Sequence, residues 1–253
     1  MTNTRQHYPT DVSNKAWKVI KKLLPVASGN GRPREYALRE IVNAIFYVAR
    51  GGIAWRMLPH DLPPWSLTYY YYWHWKKAGV WEAVNAELVE LSRKKTGRRK
   101  QPSLGILDSQ SVKTANGGEE RGIDGNKKIN GRKRHVVTDS VGHLLAVKVT
   151  AANVSDQEGG RQVLTALSKP PAAGGRREQG EDGQRQYRMA KILVDSAYQG
   201  LIALAMLLFG WVLEVVHRPE GTKGFVVQRK RWEAPVRRGW LNGFTPGKAA
   251  IGV

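Results

Sequence analysis

Two segments of this chain share one pattern: Leu104-Gly-Ile-Leu-Asp108-Ser and Lys191-Ile-Leu-Val-Asp195-Ser. Each is a short apolar run that ends in an aspartate followed by a serine. Runs this short read as buried strands rather than helices. A buried strand that stops at a carboxylate sets an acid at the edge of a sheet, where a metal ion can reach it. The pattern therefore constrains both the fold, which must contain a buried sheet, and the chemistry that the sheet edge can carry.

Charge narrows that chemistry. The 253 residues include 41 Lys and Arg against 21 Asp and Glu, a formal net charge of +20. Such an excess favours phosphate backbones, whose neutralisation releases counterions. A membrane surface is the other polyanion, but the chain lacks the dense basic amphipathic helix that binding there needs. With no cysteine, disulfides, thiolate nucleophiles and cysteine-bound zinc are excluded. The N-terminus has no apolar core and does not read as a signal peptide. Leu201 to Phe209, the longest apolar stretch, is too short for a membrane helix of roughly 20 residues. These features predict a soluble, cytoplasmic protein.

The first part of the chain reads as helical. Trp17, Ile20 and Leu24 share one face of a helix capped by Thr10 or Asp11 and stopped at Pro25. A loop follows over Ser28–Arg34. Leu38, Ile41, Ala44, Ile45 and Val48 mark a second helix that ends at Gly51-Gly52. The Tyr- and Trp-rich run Tyr69–Trp75 suits aromatic core packing better than base stacking. Arg32, Arg34 and Arg39 border the second helix and could read DNA in a helix-turn-helix manner. A last helix spans Gly79–Leu91.

Arg93–Lys100 is a basic run that marks a boundary, giving a helical region over 1–92, a linker over 93–101 and a second domain over 102–253. In that domain, strands are predicted at Leu104–Leu107, Arg134–Thr138, Leu144–Val149, Ile192–Val194 and Trp211–Val216. The turn signal Asp139-Ser-Val-Gly142 joins the second and third as a hairpin. Lys169–Gln186 reads as a long loop and Gly200–Phe209 as a buried helix.

Asp108 and Asp195 are the candidate metal ligands. Carboxylates flanking two divalent ions suit phosphoryl transfer, and hard oxygen donors favour Mg²⁺ or Mn²⁺. Read singly, each could equally end a strand and cap the next turn. His135 and His143 read as solvated or phosphate-facing, Asp139 as a turn residue, and Asp156 as a supporting group or part of a helix cap with Ser155. Lys127, Lys128, Arg132, Lys133 and Arg134 form a basic cluster suited to a DNA backbone.

Several segments resemble bacterial insertion-sequence DDE transposases of the insertion sequence five/four type. They are Asp108-Ser-Gln-Ser-Val-Lys113-Thr, Gly131-Arg-Lys-Arg-His135-Val-Val-Thr-Asp139, Ala152-Asn153-Val-Ser-Asp156 and Val194-Asp195-Ser-Ala-Tyr198. Gly52-Ile-Ala-Trp55-Arg-Met-Leu-Pro59 and Gly79-Val-Trp81-Glu resemble the helical region that precedes the core in that group. The resemblance runs from about Tyr8 to Trp232.

It implies an α/β fold, a ribonuclease H-like mixed sheet preceded by an all-helical DNA-binding domain. It also implies two Mg²⁺ (or Mn²⁺) ions on a DDE triad, cleavage at element ends and strand transfer to target DNA. The partners it implies are terminal inverted repeats, target DNA and further copies of the chain in the DNA complex, near the nucleoid. Asp108 and Asp195 match the first two acids, and Lys113 would lie near the bound phosphates.

The third acid departs from the pattern. Where the family segment carries its Glu, Arg231-Trp232-Glu233-Ala-Pro235 has Pro235. Glu233 lies two residues earlier, about 200° around a helix, and Pro235 restricts helix continuity. The final stretch Gly243–Val253 reads as translation out of register, so the third acid is expected to be lost. The alternatives are a transposase remnant that only binds DNA and a metal nuclease of the same fold.

Overall fold

The computed structural model describes residues 5–25, 34–114, 120–169 and 187–216. These divide between Glu87 and Leu88 into two compact units. No described helix is long and apolar enough to cross a membrane.

The first unit is helical: α1 (Asn14–Leu23), α2 (Leu38–Gly51), a 3₁₀ turn (Trp55–Met57), α3 (Trp65–Lys77) and the start of α4 (Val80–Lys95). The cap of α1 is Ser13, whose hydroxyl accepts from the Ala16 amide at 3.2 Å. Asp11, expected in that role, instead accepts from the Tyr8 amide and pairs with Arg5. Chain direction explains the shift: Asp11 closes the turn before the helix, and Ser13 is the first residue placed to satisfy an orphan amide inside it. At the far end Leu24 is extended before Pro25, as a residue preceding proline must be. Helix α2 ends at Gly52, left-handed at φ 61°, whose amide donates to Val48 O. Ile20, Leu24, Ile41, Val42, Ile45, Val48, Trp55 and Trp75 build the core. The aromatic run of α3 is split: Trp75 is buried and Tyr71 and Tyr72 pack on the core, whereas Trp65, Tyr69, Tyr70 and Trp73 face solvent.

The second unit is built on a six-stranded sheet: β1 (Leu104–Lys113), β2 (Gly122–Asp124), β3 (Ile129–Asp139), β4 (Leu144–Ala151), β5 (Lys191–Val194) and β6 (Val212–Val215). Along its width the order is β4-β3-β1-β5-β6. β3 runs antiparallel to β1 and β4, while β5 and β6 run parallel to β1 and to each other. Three-residue β2 extends the edge of β3 beside β4. The core of Leu107, Val137, Leu145, Leu164, Ile192, Val194, Tyr198 and Trp211 lies between the sheet and α5 (Asp156–Ser168), the crossover helix. This is the expected α/β, ribonuclease H-like mixed sheet after a helical region.

Several elements differ from expectation. β1 continues past Asp108 to Lys113, and β3 begins at Ile129, because a ladder is held by main-chain bonds that polar residues also make. α4 runs through Lys95, so the supposed linker starts as helix. Arg93 there is buried, paired with Asp139 across the end of β3, rather than solvated. α6 (Ile202–Phe209) buries only Ala205 and Phe209, and Leu207 is 84% exposed. A helix apolar all round carries no pattern that names its buried face. The loops expected at Ser28–Arg34 and Lys169–Gln186 lie outside the described residues apart from Arg34, Lys169 and their flanks, as does everything after Val216.

Helix α5 begins at Ser155, whose hydroxyl accepts from the Glu158 amide at 3.1 Å, and it approaches the sheet through Gly159 and Gly160. A Cβ on Gly159 would stand 1.9 Å from His135 Nε2, and one on Gly160 would stand 2.7 Å from Tyr198 Cδ1. Gly159→Ala is expected to destabilise the unit by about 1–3 kcal/mol, since overpacking outweighs the gain of up to about 1 kcal/mol in helix propensity. Urea unfolding midpoints of the two proteins check this.

Candidate active site

Register brings the two aspartates together. β1 and β5 pair as Leu104↔Lys191, Gly105↔Ile192 and Ile106↔Leu193. Continued two residues past its last pair, this register leads to Asp108 on β1 and to Asp195, the residue that follows β5. Ile106 and Leu193 cluster on one face of the sheet. Side chains alternate, so Asp108 is directed to that face, and Asp195 follows Leu193 by the same interval. Asp108 is exposed and Asp195 half-buried. Asp108 is thus a mid-strand residue at which the parallel pairing has ended, while Asp195 follows the last residue of β5 as expected.

Each carboxylate has one oxygen steadied by a main-chain amide. Asp108 Oδ1 accepts from Ser109 N at 2.9 Å. Asp195 Oδ1 accepts from Ala197 N at 3.0 Å, capping the 3₁₀ turn Ser196–Leu201.

Behind them lies a buried polar group set. The Tyr198 hydroxyl bonds Ser109 and stands 3.5 Å from His135 Nδ1. Burial pushes that hydroxyl's pKa well up, and the charges of Asp156, Asp195 and Asp108 push it further, so three carboxylates are felt at one hydroxyl. His135 is fully buried, with Nε2 3.3 Å from Thr150 Oγ1. The solvated role expected for it fails because β3 is covered by α5 at that level. Burial, above all, lowers the imidazole to about 4, against an ordinary value of 6.5. The unfolded chain therefore takes up this proton first as pH falls. The stability that neutral His135 supports is complete above pH 6.5 and is lost as pH drops toward 4. His135→Gln is expected to flatten the fall in thermal midpoint between pH 7 and 4.5, measured beside the parent protein.

At the start of α5 opens a cleft of about 490 Å³, lined by Asp124, Asn126, Lys133, Asn153, Asp156 and Ala197 among others. Lys133 organises it. Its Nζ donates to Val154 O at 2.9 Å and stands 3.3 Å from Asp156 and 3.7 Å from Asp124. Asp124 accepts from Ser111 Oγ at 2.5 Å, and this bond more than offsets burial and holds its carboxyl below the usual range. Asp124 and Ser111 carried no signal in the sequence, because each becomes polar core only when β2 pairs with β3.

The basic cluster divides. Lys113, Lys127 and Lys128 are exposed and Arg132 is half-buried. Lys133 and Arg134 are buried, 6% and 3% exposed, and do not present a DNA-facing surface. Continuous burial from Lys133 to Asp139 is the reason: both faces of β3 are covered there. His143 is likewise not solvated but sits between Asp139 (3.0 Å) and Ser92 (2.8 Å). Asp139 is the turn residue expected, accepting from the Val141 and His143 amides, and is also the buried partner of Arg93.

Two oxygen-donor carboxylates just past the paired stretch of β1 and β5 suit a hard divalent cation. Among the described residues no group of three or more His, Asp or Glu side chains is arranged to hold a metal. Glu233 and Pro235 lie outside the described residues.

Comparison with protein families bears on this arrangement directly. No curated protein matches the chain at a significant level. Residues 12–85, the helical unit, match the family model of IS4/5 transposases. Residues 99–234 match the transposase DDE domain, over more than half of the chain and across both aspartates. The chain thus belongs to the IS4/5 family of DDE transposases, enzymes that act on DNA.

Proposed function

We propose that Asp108 and Asp195 are the first two acids of the transposase centre and hold two Mg²⁺ or Mn²⁺ ions for cleavage at element ends and joining of strands. The observation that carries this reading is the parallel pairing of β1 with β5, whose register ends two residues before each aspartate. Bound divalent ions supply Lewis acidity to the scissile phosphate and a nucleophile at neutral pH. In cleavage, water attacks phosphorus, the P–O3′ bond breaks, and the 3′-oxygen leaves with a proton. In joining, that 3′-hydroxyl attacks a target phosphate and displaces its 3′-oxygen.

The chain's own part is to fix two carboxylates through the Ser109 and Ala197 amides. Lys113, Lys127 and Lys128 lie exposed where phosphates can be neutralised. The DNA is an element end with its terminal inverted repeat, held with target DNA by more than one copy of the chain.

One observation favours a second reading, a remnant that binds DNA without cutting it: Pro235 stands where the family segment has Glu, and the DDE match ends at residue 234. Incubation with Mn²⁺, an element-end duplex bearing a 3′-hydroxyl and a plasmid target separates the readings. Joined product supports the transposase centre and excludes a nuclease that only cleaves. Duplex binding with no cleaved or joined strand establishes the remnant.

A further inference from the structure

Helix α3 carries aromatic side chains on faces that the core does not use. Thr68 and Trp75 point inward, while Trp65, Tyr69 and Trp73 are 39%, 37% and 39% exposed and Tyr70 is 54% exposed. Trp65, Tyr69, Trp73 and Lys77 follow one another at four-residue intervals, so they form a single stripe that rises about 6 Å per step. A face that served only solubility would carry Glu and Lys; α3 contains no acid at all.

Cations are set on the rings. The Lys77 ammonium lies 3.7 Å from the Trp73 ring centroid, and the Arg56 guanidinium lies 5.0 Å from that of Trp65. Both are within the reach of a cation–π contact. Buried Trp55 braces Tyr69 edge-on at 5.3 Å, and the Tyr70 ring lies against that of His74 at 3.9 Å, tilted by 40°. The rings are therefore held in place, and a cation lies over Trp65 and over Trp73. A ligand complementary to this stripe has flat π faces and negative charge at each repeat, which describes a nucleic-acid strand. The 6 Å step is about twice the 3.4 Å step of stacked bases. Bases inside a duplex do not offer their faces, so the strand must be unpaired.

We propose that the Trp65–Tyr69–Trp73 stripe, with Arg56 and Lys77, binds an unpaired stretch of DNA by stacking its bases and pairing its phosphates. This requires only that DNA is the substrate, not that Asp108 and Asp195 hold metal. The test is accordingly made on the full chain in chelator, so that failure at the metal site leaves it unaffected. Fluorescence anisotropy would follow a labelled oligodeoxythymidine and a blunt duplex of equal length, with tryptophan quenching as a second signal. Trp65→Ala combined with Trp73→Ala is expected to weaken oligodeoxythymidine binding by about tenfold or more and duplex binding by no more than about twofold. Trp73→Phe, which keeps a ring, should retain most of the single-strand affinity and shows that the site, not the fold, is probed. Unchanged oligodeoxythymidine binding in the double variant overturns the proposal. So does equal loss on both DNAs, or a change in sedimenting mass that makes the stripe a contact between copies.

Discussion

Replacing Asp108 or Asp195 with asparagine is expected to lower strand cleavage and joining by on the order of 10³-fold relative to whatever rate the parent chain sustains. Asparagine keeps the size and the oxygen that accepts from Ser109 or Ala197, so local structure should persist. The change removes one of the two carboxylate charges that follow the paired ends of β1 and β5. Metal-borne charge stabilisation in phosphoryl transfer is several kcal/mol, and about 4 kcal/mol corresponds to a thousandfold in rate. Because the two residues act as one unit, the double variant should be hardly worse than either single one. Single-turnover cleavage with Mn²⁺, alongside calorimetric titration of Mn²⁺ into parent and variants, makes the measurement. A variant that loses neither metal uptake nor cleavage would remove that residue from the centre.

Asp139→Ala is expected to give the largest loss of stability, about 3–5 kcal/mol, because it strands a buried charge. Arg93 on α4 is 8% exposed and its partner is fully buried. Asp139 also accepts from the Val141 and His143 amides and from His143 Nδ1. Burial alone would raise the Asp139 carboxyl, but bonds from His143, Arg93 and Val141 prevail and hold it below 3.8. Its contribution is therefore present above pH 3.8 and is lost as pH falls below that value. Arg93→Met should cost less when combined with Asp139→Ala than alone, since no lone charge then remains. Urea unfolding of the four proteins in this cycle decides the point, and additive losses would show that the pair is not coupled.

The extent to which the site is legible from sequence varies with the physics of each residue. The place of Asp195 just after a strand is legible because an apolar run signals a strand and the run stops where the strand stops. Asp108 does not end its strand as the apolar run suggests, since hydrophobicity reports burial and not the main-chain ladder that continues to Lys113. Lys133 and Arg134 look like a DNA-facing patch because charge ordinarily marks surface. Nothing local reveals that Asp124 and Asp156 flank Lys133, or that α5 covers His135. The same limit splits Tyr69–Trp75: the composition says aromatic, while only packing says which rings face inward.

By itself, then, the sequence determined what is encoded in short range and in composition. That comprises a helical first part, a buried sheet, a polyanionic partner and two acids in matching contexts, together with the motifs that identify the family. Only the tertiary structure decided which groups meet. Parallel pairing of β1 with β5 brings together two aspartates that are far apart in the chain, the β2–β3–α5 contacts turn lysine and histidine into interior groups, and one side of α3 is left to solvent. The reason is that strand register and helix docking arise from contacts between distant segments, which no local pattern of residues specifies.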